Sequence, residues 1–358
     1  MFGIRLFRPK KFLGIDVGTS DIKIVEMGRR GRGVSLENYG EVGTSLVKEK
    51  PFRIYKEDTL LLSDKDIAIA IQDVCKEAEI KTKEVNFSIP DFCSFFTSFK
   101  IPTMSKEELP EAVRYEVRPY IPIPLSEITL DWLITEGKIS ETPLKILVVA
   151  IPNDIISQYQ AIANLSDLKL RVLEPEVFSL ARALIKNKNK EEKKTIGIID
   201  IGARSTTCSV FEGGILKISY SFNVAGNELT ERLARSLNID YNKAEELKRK
   251  YGLASVERDD RNIRRVLIPL IDSILGEIKK AFRNFYQNEG KEVEKIILAG
   301  GLAILPGLKE YFFTELKKEV VISNPFLDTF YPPVLKEVLE ERGPFYAVAV
   351  GLALKGLE

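Results

Sequence analysis

Two stretches of the chain share one pattern of apolar and polar residues, and each predicts a β-hairpin. In the first, an apolar run at 12–15 leads to Asp16, a short polar turn follows, and alternating apolar residues resume at Ile22. Such a pattern is typical of a strand, a tight turn and a second, antiparallel strand. Gly18 lets the turn backbone approach a ligand closely, and turn N–H groups and hydroxyls form a concave anion site.

The second stretch, at 195–210, repeats the first. Asp200 corresponds to Asp16 and Gly202 to Gly18, with the same offset of 184 residues (200 minus 16). A repeat at about one domain length indicates an internal duplication. A single hairpin of this kind would be a weak signal, whereas the pair predicts two related domains.

The rest of the pattern alternates helices with short strands, which indicates an α/β chain. Helical periodicity predicts helices at 64–80, 105–120, 153–166, 174–184, 226–238, 241–251, 262–287, 306–317 and 344–355. Short apolar runs predict strands at 34–40, 84–90, 95–102, 128–136, 144–152, 168–173, 295–301 and 320–323. The charged segments 44–63 and 187–194 are predicted as an irregular linker and a solvated connector.

Length and composition fit two globular domains. The chain has 358 residues, of which 44% are hydrophobic, and this is enough to fill two cores. A net charge of +1 argues against nucleic acid as the main partner. No apolar run approaches the roughly 20 residues of a membrane span. We interpret the basic, partly apolar residues 1–11 as a solvated terminus rather than a membrane-surface contact.

The absence of histidine from the sequence excludes several kinds of chemistry. Ser-His triads, His-ligated metal sites and acid/base catalysis by His are all ruled out. Cys75, Cys93 and Cys208 have no paired ligand spacing, and such sparse use of cysteine fits a reduced cytoplasm. Any chemistry must therefore rest on carboxylates, Lys, Arg, hydroxyls and backbone, with or without a hard cation.

Five segments, taken in order, resemble the actin-like ATPase superfamily. They correspond to a first phosphate loop, a first connecting helix, a second phosphate loop, an adenosine loop and a second connecting helix, at 16–20, 174–184, 200–202, 300–307 and 344–355. Each piece alone is a weak signal, but the ordered set covers nearly the whole chain. The resemblance implies the duplicated actin-like (ribonuclease H-like) ATPase fold, an α/β fold, with a small inserted α+β subdomain.

The same resemblance implies the domain boundaries. The first domain would cover 1–189 and include the inserted subdomain at about 45–140. The second would cover 190–358 and include an adenosine-binding subdomain at about 226–290.

The stretch 104–124, followed by Leu130 and Asp131, resembles the PilM family of type IV pilus assembly, a relative of FtsA. This implies a cytoplasmic ATP-binding scaffold that docks the N-terminal tail of a PilN-like inner-membrane protein and is recruited to the inner face of that membrane. The assembly motor ATPase is a further possible partner, and membrane contact would be indirect, through the partner. Since the sequence ends with the predicted second connecting helix, we expect no amphipathic membrane helix of the kind that FtsA-like proteins have.

The resemblance also assigns the first phosphate loop and the metal ligands. Asp16 and Asp200 would face each other across a cleft and hold one Mg2+, often through water; the alternative is that each caps a turn. The backbone and hydroxyls of the next residues would bind phosphate: Gly18, Thr19 and Ser20. Lys23 would neutralise phosphate charge or be an ordinary solvated lysine.

The second phosphate loop contains Gly202, Ala203, Arg204 and Ser205. Alanine follows the glycine where a second glycine is commoner in the superfamily, although PilM-like proteins share this alanine. Arg204 would either place a cation at the γ-phosphate or project into solvent, and the sequence does not favour one of these two roles over the other.

Three further groups complete the nucleotide site by resemblance. Glu174 would orient an attacking water; the alternative is that its negative charge only interacts with the dipole at the start of the predicted helix. Glu245 and Lys248 would reach the ribose and the adenine face, or form an ordinary ion pair on one helical face. Gly300, Gly301 and Pro306 would let the backbone pass close to adenine and ribose. ATP binding is implied more firmly than turnover.

Aromatic residues in the inserted subdomain suggest a docking surface for an extended partner peptide. They lie at Phe92, Phe95, Phe96 and Phe99 and in the proline-rich stretch 115–124. Such residues bind extended segments well, but filling the subdomain's own core is the commoner fate of Phe. Two other functions stay open: an FtsA-like polymerising scaffold, and a sugar or metabolite kinase of the same superfamily.

Overall fold

The computed structural model describes residues 11–31, 33–43, 63–185, 194–254 and 261–358. The linker predicted at 44–63, the connector at 187–194 and the basic terminus at 1–11 fall almost entirely outside the described residues. The chain forms two compact units. One contains 1–89, 158–186 and 323–358, and the other contains 90–157 and 187–322.

The strands and helices follow the predicted order closely. The strands are β1 (Lys11–Val17), β2 (Asp21–Arg30), β3 (Gly33–Gly43), β4 (Glu84–Ile89), β5 (Phe95–Ile101), β6 (Ile128–Glu136), β7 (Leu144–Pro152), β8 (Lys169–Pro175), β9 (Thr195–Ile201), β10 (Thr206–Glu212), β11 (Ile215–Phe222), β12 (Lys295–Ala299), β13 (Glu319–Ile322) and β14 (Thr329–Phe330). The helices are α1 (Asp64–Glu77), α2 (Leu109–Glu116), α3 (Asn153–Leu165), α4 (Glu176–Leu184), α5 (Gly226–Leu237), α6 (Tyr241–Tyr251), α7 (Arg261–Glu289), α8 (Leu308–Leu316) and α9 (Lys336–Leu357). None of these helices is long and apolar enough to cross a membrane.

The two larger sheets repeat one topology, which confirms the duplication predicted from the hairpins. The sheet of the first unit has the order β14-β3-β2-β1-β4-β8, and that of the second has the order β11-β10-β9-β12-β13. In each, the first three strands along the chain pair antiparallel. Two later strands then add parallel on the side of the first, and the first sheet has in addition the short strand β14, parallel to β3. The strands that carry the phosphate loops, β1 and β9, therefore occupy equivalent places.

A third, smaller sheet has the order β5-β7-β6 and lies in the second unit. Its apolar face packs on α2 and includes Phe99, Val113 and Ile146. We refer to residues 90–152, which contain this sheet and α2, as the insert. The sequence places the insertion at about 45–140, but α1 packs on β2 and β3, and β4 lies between β1 and β8. An apolar run predicts a strand without indicating which sheet it joins, and this explains the difference.

Helix α9 begins earlier than the sequence predicts. Pro344 was expected in the first turn, where proline is best tolerated, but the helix starts at Lys336 and Pro344 lies inside it. The small residues of α9 allow backbone-to-backbone contact. A Cβ on Gly351 would lie 1.9 Å from the carbonyl oxygen of Ser179, and one on Gly14 would lie 2.0 Å from that of Ala349. Helix α9 is thereby packed directly on α4 and β1.

Candidate functional site

The two predicted phosphate loops have the same turn geometry. In the first, between β1 and β2, the backbone N–H of Gly18 donates to the carbonyl of Asp21 at 3.1 Å. In the second, between β9 and β10, the N–H of Gly202 donates to the carbonyl of Ser205 at 3.0 Å. The loop residues Thr19, Ser20, Ala203, Arg204 and Ser205 are all half-buried. The internal repeat thus extends from the sequence to individual hydrogen bonds.

Asp16, at the end of β1, is buried and has two firm partners. Only 4% of its surface is exposed. Ser88 donates to its Oδ1 at 3.0 Å, and Lys23 Nζ donates to its Oδ2 at 2.9 Å. Lys23 stands opposite Asp16 in the β1–β2 register, and its Nζ also lies 4.5 Å from the ring centroid of Phe345. Lys23 is therefore a buried counter-charge rather than a solvated lysine, and nothing in the sequence marked Ser88 as its neighbour.

Asp200 occupies the corresponding position in the second unit, but its surroundings differ. Thr207 stands opposite it in the β9–β10 register, where the first repeat has a lysine. Gly300, which has a positive φ of 81°, passes so close that a Cβ on it would lie 2.3 Å from Oδ1 of Asp200. The structure thus brings together one phosphate-loop carboxylate and one residue of the predicted adenosine loop.

No group of three or more His, Cys, Asp or Glu side chains placed to hold a metal ion occurs among the described residues. Mg2+ commonly binds one or two carboxylates and completes its shell with water and substrate phosphates. The single carboxylate at the end of β1, or the one at the end of β9, therefore matches the ligand chemistry of Mg2+ beside a bound phosphate.

The second loop is hydrogen-bonded to the start of α5. The N–H of Gly226 donates to the carbonyl of Gly202 at 3.0 Å, and that of Asn227 donates to the carbonyl of Ala203 at 2.7 Å. Lys248 Nζ in turn donates to the carbonyl of Gly226 at 3.0 Å. A chain of direct bonds therefore links the loop to the predicted adenosine-binding helices.

Glu245 and Lys248 form a largely buried ion pair on one face of α6. Lys248 Nζ lies 2.7 Å from Glu245 Oε2 and also donates to Thr230 Oγ1 at 2.8 Å. With the bond to Gly226, all three ammonium hydrogens have acceptors. Thr230 links the two residues, since it donates to Glu245 at 2.5 Å; the sequence did not indicate this residue.

Burial and the ion pair together shift the pKa of both residues. Burial alone would raise the pKa of Glu245, but the charge of Lys248 and hydrogen bonds from Lys248, Thr230 and Arg249 lower it to about 2. Burial lowers the pKa of Lys248, although Glu245 partly opposes that change. Glu245 therefore stays ionised over the whole physiological range.

The remaining adenosine-loop residues lie beside the end of α6. Gly300 and Gly301 form the turn after β12, and Gly301 is exposed. Pro306 accepts a hydrogen bond from the N–H of Leu253 at 2.6 Å, and a Cβ on Gly252 would lie 2.6 Å from the same carbonyl. The structure thus brings Pro306 close to α6, whose residues Glu245 and Lys248 were predicted to share its ligand.

Glu174 does not begin a helix, contrary to the sequence prediction. It lies near the end of β8, and Pro175 caps α4, which starts at Glu176. Its Oε1 accepts hydrogen bonds from Ser179 Oγ at 2.6 Å and from Arg182 Nη1, and its Oε2 accepts one from Arg182 Nη2 at 2.9 Å. A buried bidentate ion pair therefore holds the predicted water-orienting carboxylate.

Arg204 contacts an aromatic ring of the insert. Its guanidinium carbon lies 5.0 Å from the ring centroid of Phe92, which is cation–π distance. The other aromatic residues of the insert are partly buried and partly exposed. Phe99 lies in the insert core, whereas Tyr115 and Tyr120 are exposed, and the ring of Tyr120 stacks on that of Phe99. Tyr115 also borders a shallow surface pocket with Ile101 and Met104.

Solved structures share this architecture over almost the whole chain. A chain of the PilM–PilN type IV pilus biogenesis complex is 26% identical and has a TM-score of 0.84, with 98% of this chain and 99% of that chain covered. EutJ from Carboxydothermus hydrogenoformans is 18% identical, with 97% and 90% covered and a TM-score of 0.59. MreB 5 of Spiroplasma citri bound to AMPPNP is 15% identical, with 96% and 94% covered and a TM-score of 0.51. These matches show the actin-like ATPase fold.

Sequence comparisons agree with the structural ones. The cell division protein FtsA of Staphylococcus epidermidis is 24% identical over 358 residues, which cover 88% of this chain and 74% of that protein. The model of the family described as type IV pilus assembly protein PilM matches residues 14–357. The chain therefore belongs to the PilM family of type IV pilus assembly proteins.

Proposed function

We propose that this chain is an ATP-binding scaffold of type IV pilus assembly that docks the N-terminal tail of a PilN-like inner-membrane protein. The observation that carries the proposal is the match to a chain of a PilM–PilN complex over almost the full length of both chains. The two-domain division, with boundaries at 1–189 and 190–358, belongs to the same proposal.

The duplicated loops support nucleotide binding. Phosphate would be held by Gly18, Thr19 and Ser20 and by the equivalent residues 202–205, because both loops fold into the same tight turn. Mg2+, when bound, supplies positive charge at the phosphates; Asp16 and Asp200 would hold it through water, and Lys23 would balance the remaining charge. Nucleotide-bound MreB 5 shares the fold.

For adenosine, the structure favours a division of roles within α6. Glu245 would accept hydrogen bonds from the ribose, since its carboxylate stays ionised. Lys248 would contribute its aliphatic stem to the adenine face, because its ammonium group already has three acceptors. Gly300, Gly301 and Pro306 would form the opposite wall with backbone atoms.

Hydrolysis is the subordinate part of the proposal. Glu174 is the residue we assign to orienting water, but both of its oxygens accept hydrogen bonds from Arg182. Phosphoryl transfer requires a well-positioned nucleophile, and a carboxylate held in this way orients water poorly. We therefore expect ATP to act mainly as a bound ligand that is turned over slowly.

The same family membership supports the proposed partner and location. The exposed aromatics Tyr115 and Tyr120 and the neighbouring prolines offer the contacts that extended peptides use. A cytoplasmic chain that binds such a tail would be recruited to the inner face of the inner membrane, and the assembly motor ATPase would be a second partner.

The test is a calorimetric titration of the purified chain with a synthetic peptide of the PilN-type tail from the same genome. The titration is run without nucleotide and with Mg-ATP. Saturable binding with a scrambled peptide inactive supports the docking role, and a difference between the two conditions supports a nucleotide switch. Equal affinities would leave a scaffold without a switch, and no binding in either condition would refute the docking role.

The relation to FtsA favours one alternative, a polymerising scaffold at the membrane. Sedimentation with ATP and anionic lipid vesicles distinguishes the two. Filaments that pellet without the partner peptide would favour polymerisation, whereas a chain that stays in the supernatant until the partner is present on the vesicles favours docking.

A further inference from the structure

The contact between Arg204 and Phe92 joins the second phosphate loop to the insert. Arg204 is the residue for which the sequence offered two unranked roles, a phosphate ligand or a solvated side chain. The structure shows a third arrangement, since its guanidinium lies over the Phe92 ring, 5.0 Å from the centroid. Phe92 belongs to the short 3-10 turn Asp91–Cys93, directly after β4, where the chain enters the insert.

Both ends of this contact are fixed by backbone hydrogen bonds. The loop carbonyls of Gly202 and Ala203 are held by the N-terminus of α5 at 3.0 and 2.7 Å. In the insert turn, the N–H of Cys93 donates to Pro90 at 2.9 Å and that of Ser94 donates to Asp91 at 3.0 Å. The backbone of each turn is therefore held independently of the contact between the Arg204 and Phe92 side chains.

Besides the contact between Arg204 and Phe92, ion pairs attach the insert to the rest of the second unit at β11 and α7. Lys217 on β11 is paired with Glu136 of β6 at 2.7 Å, and Lys145 of β7 is paired with Glu289 of α7. The 3-10 turn and β5 also pack against β11. Loss of the Arg204–Phe92 contact would leave the ionic cluster in place, so the insert could pivot rather than detach.

We propose that Arg204 communicates the occupancy of the second phosphate loop to the insert by leaving Phe92 when a polyphosphate binds. This rests on the proposed ATP binding. Hydrogen bonds between a guanidinium and phosphate are charge-assisted and bidentate, and they are stronger than a half-buried cation–π contact. In this proposal Arg204 turns towards the phosphate and no longer covers the Phe92 ring, so the turn that begins the insert loses this one contact.

The protein carries a natural reporter for this movement. Its single tryptophan, Trp132, lies on β6 of the insert, so intrinsic tryptophan fluorescence reports on the insert alone. Wild-type protein is titrated with Mg-ATP while Trp132 emission is recorded, and ATP affinity is measured separately by calorimetry. We expect a saturable change in emission with the same midpoint as ATP binding.

Phe92→Leu should lose most of the emission change and bind ATP as the wild type does, whereas Arg204→Gln should lose the emission change and also bind ATP more weakly, because it removes a phosphate ligand. A contact of this kind shifts a two-state equilibrium about fivefold, so the partner-peptide affinity ratio with and without ATP should fall by a similar factor. Arg235→Gln, which changes an exposed arginine at the other end of α5, is the matched control and should respond like wild type. Two different variants guard against a folding defect in either one.

The outcomes separate this inference from the proposed function. If calorimetry detects no ATP binding by the wild type, the ATP-binding part of the proposed function fails and this inference fails with it, while docking of the partner tail is judged separately by the peptide titration. If the wild type binds ATP but Trp132 does not respond, or if both variants keep the full response, Arg204 does not couple the loop to the insert, and ATP binding stands.

Discussion

Arg182 binds both carboxylate oxygens of Glu174 and joins three elements of the first unit. It extends from α4 to the end of β8, and its Nη1 also donates to the carbonyl of Gly351 in α9 at 3.1 Å. Its Nε lies 3.3 Å from Glu358 at the end of the chain. Side-chain exposure is 17% for Arg182 and 11% for Glu174, so water screens the pair little. Glu174, the residue assigned to catalysis by resemblance, is thus also part of an ion pair that holds α4, β8 and α9 together.

Arg182→Gln should lower the free energy of unfolding by about 3 kcal/mol, because it leaves a buried carboxylate without its counter-charge. Urea unfolding followed by circular dichroism measures this. In the Glu174→Gln/Arg182→Gln double variant, the loss should be smaller than the sum of the single losses.

Arg235→Gln is the control, since it removes an exposed pair with Glu231 and should change little. If Arg182→Gln were as stable as this control, the ion pair would have no structural role. If Arg182→Gln also raised ATP turnover in a way that Glu174→Gln abolished, Arg182 would be shown to restrain Glu174.

Glu245→Gln should destabilise the second unit by about 2 kcal/mol. The substitution removes the charge that compensates the buried ammonium of Lys248. The neighbouring Glu246→Gln breaks an exposed pair with Lys243 and should leave the urea midpoint unchanged. Equal midpoints for the two variants would show that burial of Lys248 does not depend on Glu245.

The ion pair between Glu245 and Lys248 should also make the stability of the second unit depend on pH in the acid range. The pKa of Glu245 is lowered from 4.5 to about 2, so its contribution is complete above about pH 5 and is lost as the pH falls from 4.5 towards 2. The difference in urea midpoint between wild type and Glu245→Gln should therefore shrink over this window. A difference that stays constant down to pH 3 would contradict the assignment.

Gly300→Ala should weaken Mg-ATP binding and lower the free energy of unfolding by about 3 kcal/mol. The added Cβ combines a strained positive φ of 81° with a 2.3 Å approach to Asp200 Oδ1. Gly213→Ala is the matched control, because Gly213 has a positive φ of 58° with nothing within 4 Å of the added Cβ. It should cost only the backbone term, about 1 kcal/mol, with unchanged ATP affinity. Similar effects of the two substitutions would show that the contact with Asp200 is unimportant.

The sequence predicted those features that repeat or that depend on local pattern. Asp16 and Asp200, with their glycines, predicted the duplication, and the two sheets confirm it. The sequence Ser-Lys-Glu-Glu at 105–108 has the spacing of a capping box, and the bonds form, since Ser105 and Glu108 each donate a backbone N–H to the other's side chain, at 3.0 and 3.4 Å. Pro110 lies in the first turn of the helix that follows. Local signals of this kind need no knowledge of the rest of the fold.

Features set by packing between distant segments could not be read from the sequence. The apolar run of β4 has no mark that assigns it to the sheet of β1 rather than to the insert. Arg182 and Thr230 look like ordinary helix residues until their partners Glu174 and Glu245 are placed beside them. The same holds for Arg204, whose partner Phe92 is separated from it by more than a hundred residues.

The direct backbone contacts of α9 with β1 and α4 have a mechanical consequence for the first phosphate loop. Side chains ordinarily absorb a displacement by changing rotamer, but Gly14 of β1 and Gly351 of α9 have none, and their backbones contact those of α9 and α4 directly. A close-packed interior of this kind transmits strain with little compliance. A displacement of α9 would therefore move β1 by nearly the same distance. Asp16 lies two residues after Gly14 on this strand, so the carboxylate at the first phosphate loop would move with it.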